Sequence, residues 1–376
     1  MRYGGKLNGL IHGGDYLPRG WPIECALSRP VKVYWPDARN ILRIETWHGR
    51  FLVSFIRTLS GDIAPDSLGF TYSHEHLVCR PAYWVARGED DLLLDDPAKT
   101  QKDVEAFRDL GGRAIVDATA IDYGRDVPAV AQIAKNTGVT IVLTAGFNKS
   151  FLWDAVMPGG QNRRYDDWIA EASMDELIRF VVSEVEDGME GTTHRAGQVK
   201  FGTGYNVISE LEEKTLRAVA QAHHATKAPI HSHTEAGTMA LEQIKLLRQE
   251  GVDPHNLSVG HMDRNPDPWM HARVADTGAY LSFDGMGKIK YYTEQVRIDC
   301  ILALVKRGHR EQILVSGDTA RKSYYEHYGR GLGLRYIIES WVPRFIEQAG
   351  EAGYDGGALI QDFFVNNPRR CFSFKQ

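Results

Sequence analysis

Residues 198–234 read QVKFGTGYNVISELEEKTLRAVAQAHHATKAPIHSHT. An apolar run, Gln198–Thr203, gives way to a stretch with helical periodicity, Leu211–His224, and then to a second apolar run, Pro229–Thr234. Runs that are apolar throughout fit parallel strands buried on both faces, and such strands need a crossover between them, usually a helix. The unit repeats in both directions. Tyr72–Val78, Ala114–Ala120 and Ile141–Phe147 are strand candidates upstream, and Leu257–Asp263, Ala279–Asp284 and Gln312–Asp318 downstream, eight in all. Helical patterns at Gln101–Leu110, Val127–Asn136, Met174–Glu186, Ala236–Glu250 and Arg297–Arg307 separate them. Helices tend to close on glycine (Gly111-Gly112, Gly138, Gly188, Gly251, Gly308), as a left-handed C-cap requires. Eight such units predict an α/β fold, a (β/α)8 barrel, closed by helices over about 331–348. A doubly wound open sheet is the alternative, but no strand is followed by G-x-G-x-x-G or G-x-x-x-x-G-K-[ST].

The chain has 376 residues, 43% apolar and 25% charged, enough to bury a large core without staples. A net charge of -5, with Lys and Arg dispersed, argues against nucleic acid or an anionic membrane as partner. There is no apolar run long enough for a transmembrane helix, and the N-terminus lacks the apolar core of a signal peptide. Cys25, Cys79, Cys300 and Cys371 form no C-x-x-C pair, so reduced thiols in a cytoplasmic protein are expected. Residues 1–52, rich in Gly, Pro, Trp and Arg, show neither strand nor helix periodicity. They read as an extension, or as the product of a start codon placed too far upstream, ahead of a catalytic domain at 53–376. A homodimer suits such barrels, although no interface signal is visible.

The chemistry sits at the strand ends, which converge on one mouth of a barrel. The first strand offers His74 and His76, two residues apart and therefore on one face. The fourth offers Lys200, the fifth His231 and His233, the sixth His261, the eighth Asp318. Taken singly, each histidine reads as a core residue and the aspartate as a helix cap. A lysine within an apolar strand is costly unless paired or modified. Taken together, four of these histidines (His74, His76, His233 and His261), the lysine and the aspartate lie where a barrel gathers ligands. Imidazole and carboxylate suit zinc, and also manganese, cobalt or iron. Two cations side by side need a bridging anion, which a lysine supplies when its amine takes up CO2 as a carbamate.

The stretch GDIAPDSLGFTYSHEHL at 61–77 is similar to the opening signature of the phosphotriesterase family of the amidohydrolase superfamily, and the chain resembles that family from about Phe55 to Phe374. The resemblance implies two divalent metal ions. His74, His76 and Asp318 would bind the buried one, His233 and His261 the more exposed one, with carbamylated Lys200 between them. It further implies attack by metal-activated water on a carbonyl or phosphoryl centre, with Asp318 accepting the proton. His231 is read as turned to the other side of its strand and structural.

The loops after the seventh and eighth strands are basic, with Lys288 and Lys290 in one and Arg321, Lys322 and Tyr324 in the other. In many barrels this corner binds phosphate. Arg321 and Tyr324 are three apart and would share a face on a helical turn, so that Lys290, Arg321 and Tyr324 form a phosphate clamp. Arg264 is expected either to touch the substrate or to form an internal ion pair, and Tyr123, Asn148 and Lys149 to line the mouth. The stretch Gly317–Tyr325 resembles the family branch that opens lactones of phosphorylated five-carbon sugars. The expected activity is therefore a binuclear metal-dependent lactonase for a small phosphorylated substrate. The alternatives are a phosphotriesterase or promiscuous lactonase or esterase for neutral substrates, which apolar loops would favour, and a scaffold without chemistry, which the loss of a ligand would favour.

Overall fold

The computed structural model describes residues 54–158, 162–329 and 331–375, and the expected extension at 1–52 lies outside them. The chain enters through an antiparallel hairpin, β1 (Ile56–Thr58) and β2 (Gly61–Ile63), which the sequence reading did not anticipate. Phe374 returns to this entrance. Its amide donates to Phe55 O at 2.8 Å, and the two rings stack with centroids 4.8 Å apart.

The barrel strands follow: β3 (Thr71–Glu75), β4 (Ala114–Asp117), β5 (Thr140–Val142), β6 (Thr144–Gly146), β7 (Gln198–Thr203), β8 (Ile230–Thr234), β9 (Leu257–Val259), β10 (Tyr280–Phe283) and β11 (Ile313–Val315). They form parallel arrays in the order β3-β4-β5 and β6-β7-β8-β9-β10-β11. The predicted strand at Ile141–Phe147 is thus two strands. At the break, the Leu143 carbonyl accepts from both Gly197 N and Gln198 N, so β5 pairs with β4 and β6 with β7. The ring closes between β11 and β3 through His74 N to Ser316 Oγ (3.0 Å) and Asp318 N to His74 O (2.9 Å). Eight barrel positions result, with β5 and β6 sharing the third.

Helices lie between the strands, with signals that fix their ends. Ser173 and Ser209 each form a capping box with the glutamate three residues on, opening helices Met174–Glu186 and Glu210–Thr226. The helix expected from Ala236 begins at Ala240, because Ala236 (φ 53°) and Met239 (φ 63°) are left-handed. The closing segment begins as a π turn, Ile337–Trp341, ahead of Val342–Glu351. Pro343 has no amide to donate back, and the turn before it widens. Pro368 follows a second π turn, Asp362–Asn366, in the same way. Cys79, Cys300 and Cys371 are free and buried, and no described helix is long and apolar enough to cross a membrane.

Candidate metal centre

β3 turns His74 and His76 into the barrel and Glu75 away from it. Glu75 is far from idle: it accepts from Ser316 Oγ (2.8 Å), Gly317 N (2.7 Å) and Thr319 N (2.7 Å), and so grips the loop on both sides of Asp318. Asp318 is held at φ 42° and His261 at φ 62°. For residues with side chains this is strained backbone, of the order of 1–3 kcal/mol each, and such strain gathers at functional sites.

Each inward-facing histidine has its outer nitrogen tied down. Asp284 accepts from His74 Nδ1 (2.9 Å), His261 Nδ1 (2.7 Å) and His261 N (3.0 Å). His76 Nδ1 donates to Thr119 Oγ1 at 2.7 Å, and Thr119 in turn donates to Asp117. His233 Nε2 faces Glu235 Oε2 at 3.3 Å. Carboxylates only accept, so these partners fix the protons on the outer nitrogens. The inner nitrogens are left as lone pairs that face one another. His261 Nε2 lies 2.8 Å from His233 Nδ1, His76 Nε2 lies 3.4 Å from Asp318 Oδ1, and His74 Nε2 is buried without a hydrogen-bond partner among the described residues. Burial favours the neutral rings of His76, His233 and His261, pushing His76 down to about 4 and His261 down to about 3. Lone pairs and a carboxylate converging without a proton repel one another, and a cation removes the conflict. His74, His76 and Asp318 offer donor atoms within 4.8 Å of one another, which fits a divalent ion.

Lys200, 1% exposed, sits on β7, its Nζ donating to Ala118 O at 2.9 Å. Burial lowers its ammonium to about 8 despite Asp318 and Asp122 nearby. A neutral amine, the form that adds CO2, is therefore accessible. β6 approaches so closely here that a Cβ on Gly146 (φ 95°) would lie 2.3 Å from the Lys200 carbonyl oxygen.

His231 departs from expectation. It shares the inward face with His233, as residues two apart on a strand must, and its ring centroid is 4.6 Å from that of His74. It hydrogen-bonds to Ser258 Oγ at 2.9 Å, one layer beneath the site.

Above these residues opens a cavity of about 540 Å³. Arg264, Lys290, Arg321 and Tyr324 all line it. Arg264 Nη2 reaches Asp318 Oδ2 at 2.6 Å, and Lys288 reaches the same oxygen at 2.5 Å. Burial alone would raise the Asp318 carboxyl, but Lys288 and then the contact with His76 hold it well below its usual range. The expected helical turn under Arg321 and Tyr324 is absent. Arg321 has extended backbone and only Lys322–Tyr324 form a short 3-10 turn, which nonetheless leaves both side chains on the cavity. Arg321 pairs with Asp91 at 3.1 Å, while the Tyr324 hydroxyl is buried without a partner among the described residues. Lys290 makes no ion pair among the described residues; partial burial and then the neighbouring Arg321, Lys288 and Arg264 lower it to about 8. On the far wall Asp122 accepts from Asn148 N (2.9 Å) and Trp153 Nε1 (2.6 Å), fixing the loop after β6. Asp284, Glu235 and Glu75 were not anticipated. Glu235 continues the spacing of His231 and His233, and Asp284 ends a predicted strand, so a signal for each exists in the sequence.

Residues 54–372 match the model of the phosphotriesterase family. A phospho-furanose lactonase of Mycoplasmopsis synoviae is 33% identical over 86% of the chain and 92% of its own length. The crystal structure of a lactonase from Listeria monocytogenes is 64% identical, with a TM-score of 0.85 over 86% of the chain and all of that protein. A phosphotriesterase homology protein of Escherichia coli, solved with phosphate in its active site, is 30% identical, with a TM-score of 0.74 over 82% of the chain and 99% of that protein.

Proposed function

The chain belongs to the phosphotriesterase family, and from that membership we propose that it is a binuclear metal-dependent hydrolase that opens the lactone of a phosphorylated five-carbon sugar. The observation that carries the substrate class is Lys290, a cation on the cavity wall with no counter-ion among the described residues, set beside Arg321 and a Tyr324 hydroxyl that has no partner among them either. A phosphate dianion pairs with Lys290, accepts from the Tyr324 hydroxyl and takes the guanidinium donors that Arg321 does not spend on Asp91. The lactonase name of the Mycoplasmopsis relative and the phosphate in the Escherichia coli structure support the same reading.

His74, His76 and Asp318 are the proposed ligands of one ion and His233 and His261 of the other, with Lys200, as its carbamate, between them. Zinc is proposed, and manganese, cobalt or iron would match the same donors. When bound, the two ions supply Lewis acidity and bring a water within reach of ionisation near neutral pH. The chain's own groups do the rest. Asp318 takes the proton of the attacking water and hands it to the ring oxygen as the bond between that oxygen and the carbonyl carbon breaks. Lys290, Arg321 and Tyr324 hold the phosphate, while Arg264 and Lys288 keep Asp318 ionised and oriented. The reduced state of Cys79, Cys300 and Cys371 suits the cytoplasm, the compartment proposed.

The test is hydrolysis of five-carbon aldonolactones with and without a 5-phosphate by metal-loaded protein. A large preference for the phosphorylated lactone, lost in Arg321→Met, is expected. Equal rates on the two would overturn the substrate assignment and leave a hydrolase of neutral lactones.

A further inference from the structure

Lys149 and Glu235 form a half-buried ion pair in the cavity that the mechanism does not use. Lys149 follows β6 at the third barrel position and Glu235 follows β8 at the fifth. They therefore straddle the fourth position, diametrically across the ring from the eighth, whose loop carries Arg321 and Tyr324. Glu235 Oε2 takes both Lys149 Nζ and His233 Nε2, whereas its Oε1 accepts nothing among the described residues. Lys149 spends one of its three N–H donors on Glu235 and lies over the Phe151 ring at 4.5 Å. Beside them the Asn148 Oδ1 is buried on the cavity wall without a partner among the described residues. Free donors and free acceptors thus stand side by side on the wall facing the phosphate corner.

The geometry of a five-membered lactone fits this arrangement. Its phosphate is carried on C5, which hangs from C4, and its carbonyl is C1, so a ring held at both points leaves its C2–C3 edge free to meet the cavity wall. That edge carries two hydroxyls, each able to donate and accept. We propose that Lys149 and Glu235, with Asn148 beside them, form a subsite that reads the C2 and C3 hydroxyls of the lactone. This rests on the phosphorylated-lactone reading above and adds a determinant of which sugar is taken.

The experiment compares the phosphorylated lactone with its 2-deoxy and 3-deoxy forms, on wild type, Lys149→Met and Glu235→Gln, with zinc content measured for each protein. In wild type, removing a hydroxyl is expected to lower kcat/KM about 10- to 100-fold, the loss typical of a hydrogen bond to a charged group. In Lys149→Met this preference for the hydroxylated lactone should collapse towards unity, because the variant loses most on the substrate that has the hydroxyl. Parallel losses on all three lactones, or a wild type that ignores the hydroxyls, would overturn the proposal. The wild-type comparison decides by itself if a variant fails to fold, and Lys149→Met decides if Glu235→Gln loses zinc through His233. A phosphate preference without hydroxyl coupling would sink this inference alone. Hydroxyl coupling without phosphate preference would sink the substrate class and leave the subsite.

Discussion

Arg264 and Asp318, 54 residues apart in the chain, meet at 2.6 Å on the oxygen that Asp318 turns away from the histidines. The carboxylate is divided: Oδ1 faces His74 and His76, and Oδ2 faces Arg264 and Lys288. Cations favour the charged form of a carboxyl, so removing one raises its pKa. In Arg264→Met the acid limb of the kcat/KM profile should move to higher pH, because Asp318 must be ionised to accept a proton. An unmoved acid limb would remove Asp318 from that role.

Asp284 restrains one histidine proposed for each ion. Asp284→Asn keeps the shape but can accept through only one atom, so one ring loses its acceptor. Metal affinity should fall about 10- to 100-fold, the usual effect of losing such a partner. Dialysis against graded chelator followed by elemental analysis measures it, and wild-type retention of both ions would contradict the arrangement.

If Lys200 carries a carbamate, the intact mass of native protein should exceed the sequence mass by one CO2, and acid should remove the increment. Protein stripped of metal should regain activity faster with zinc plus bicarbonate than with zinc alone. Lys200→Met should lose bound metal. A native mass without the increment argues for an unmodified amine.

Lys290, lowered to about 8 by partial burial and the adjoining cations, is charged below that value and neutral above it. As pH rises through about 8, KM for the phosphorylated lactone should increase, while KM for the unphosphorylated one stays level. Bound phosphate favours the ammonium, so the break should lie higher in the complex than in the free protein. Lys290→Arg should remove the alkaline rise, since arginine does not titrate there. A parallel rise for both lactones would assign the ionisation elsewhere.

Phe374, buried and stacked on Phe55, also receives the Arg57 guanidinium over its ring at 4.9 Å. Phe374→Ala should cost about 3–5 kcal/mol in stability, the range for a large buried aromatic. Denaturant unfolding reads this directly, and a loss below about 1 kcal/mol would mean that the entrance hairpin contributes little.

Much of the barrel is legible because buried parallel strands are apolar on both faces. Gln198–Thr203 matches its predicted limits for that reason, and so does the helix Met174–Glu186. Strand ends are less so. Leu257–Asp263 stops at Val259 because the backbone must turn to left-handed geometry to aim His261 inward. The short hairpin at Ile56–Ile63 has three residues to each strand and too little pattern to see. In the site, the residues read from strand ends do converge on one mouth. The carboxylates behind them were harder, because an Asp at a strand end also reads as a helix cap and only distances reveal that Asp284 meets two imidazoles. The misplacement of His231 was avoidable, since the spacing rule that pairs His74 with His76 applies equally to it and His233.

The closure between β11 and β3 has a consequence for how the protein is made. It joins the last barrel strand to the first, and its hydrogen bonds span 242 residues of chain. His74 and Asp318 stand on opposite sides of that seam. A nascent chain still short of Asp318 therefore has the histidines of its first strand but no complete pocket for an ion. Metal capture is then a late event in biogenesis, following release of the C-terminal strand from the ribosome, and bound metal would be a mark of a finished ring.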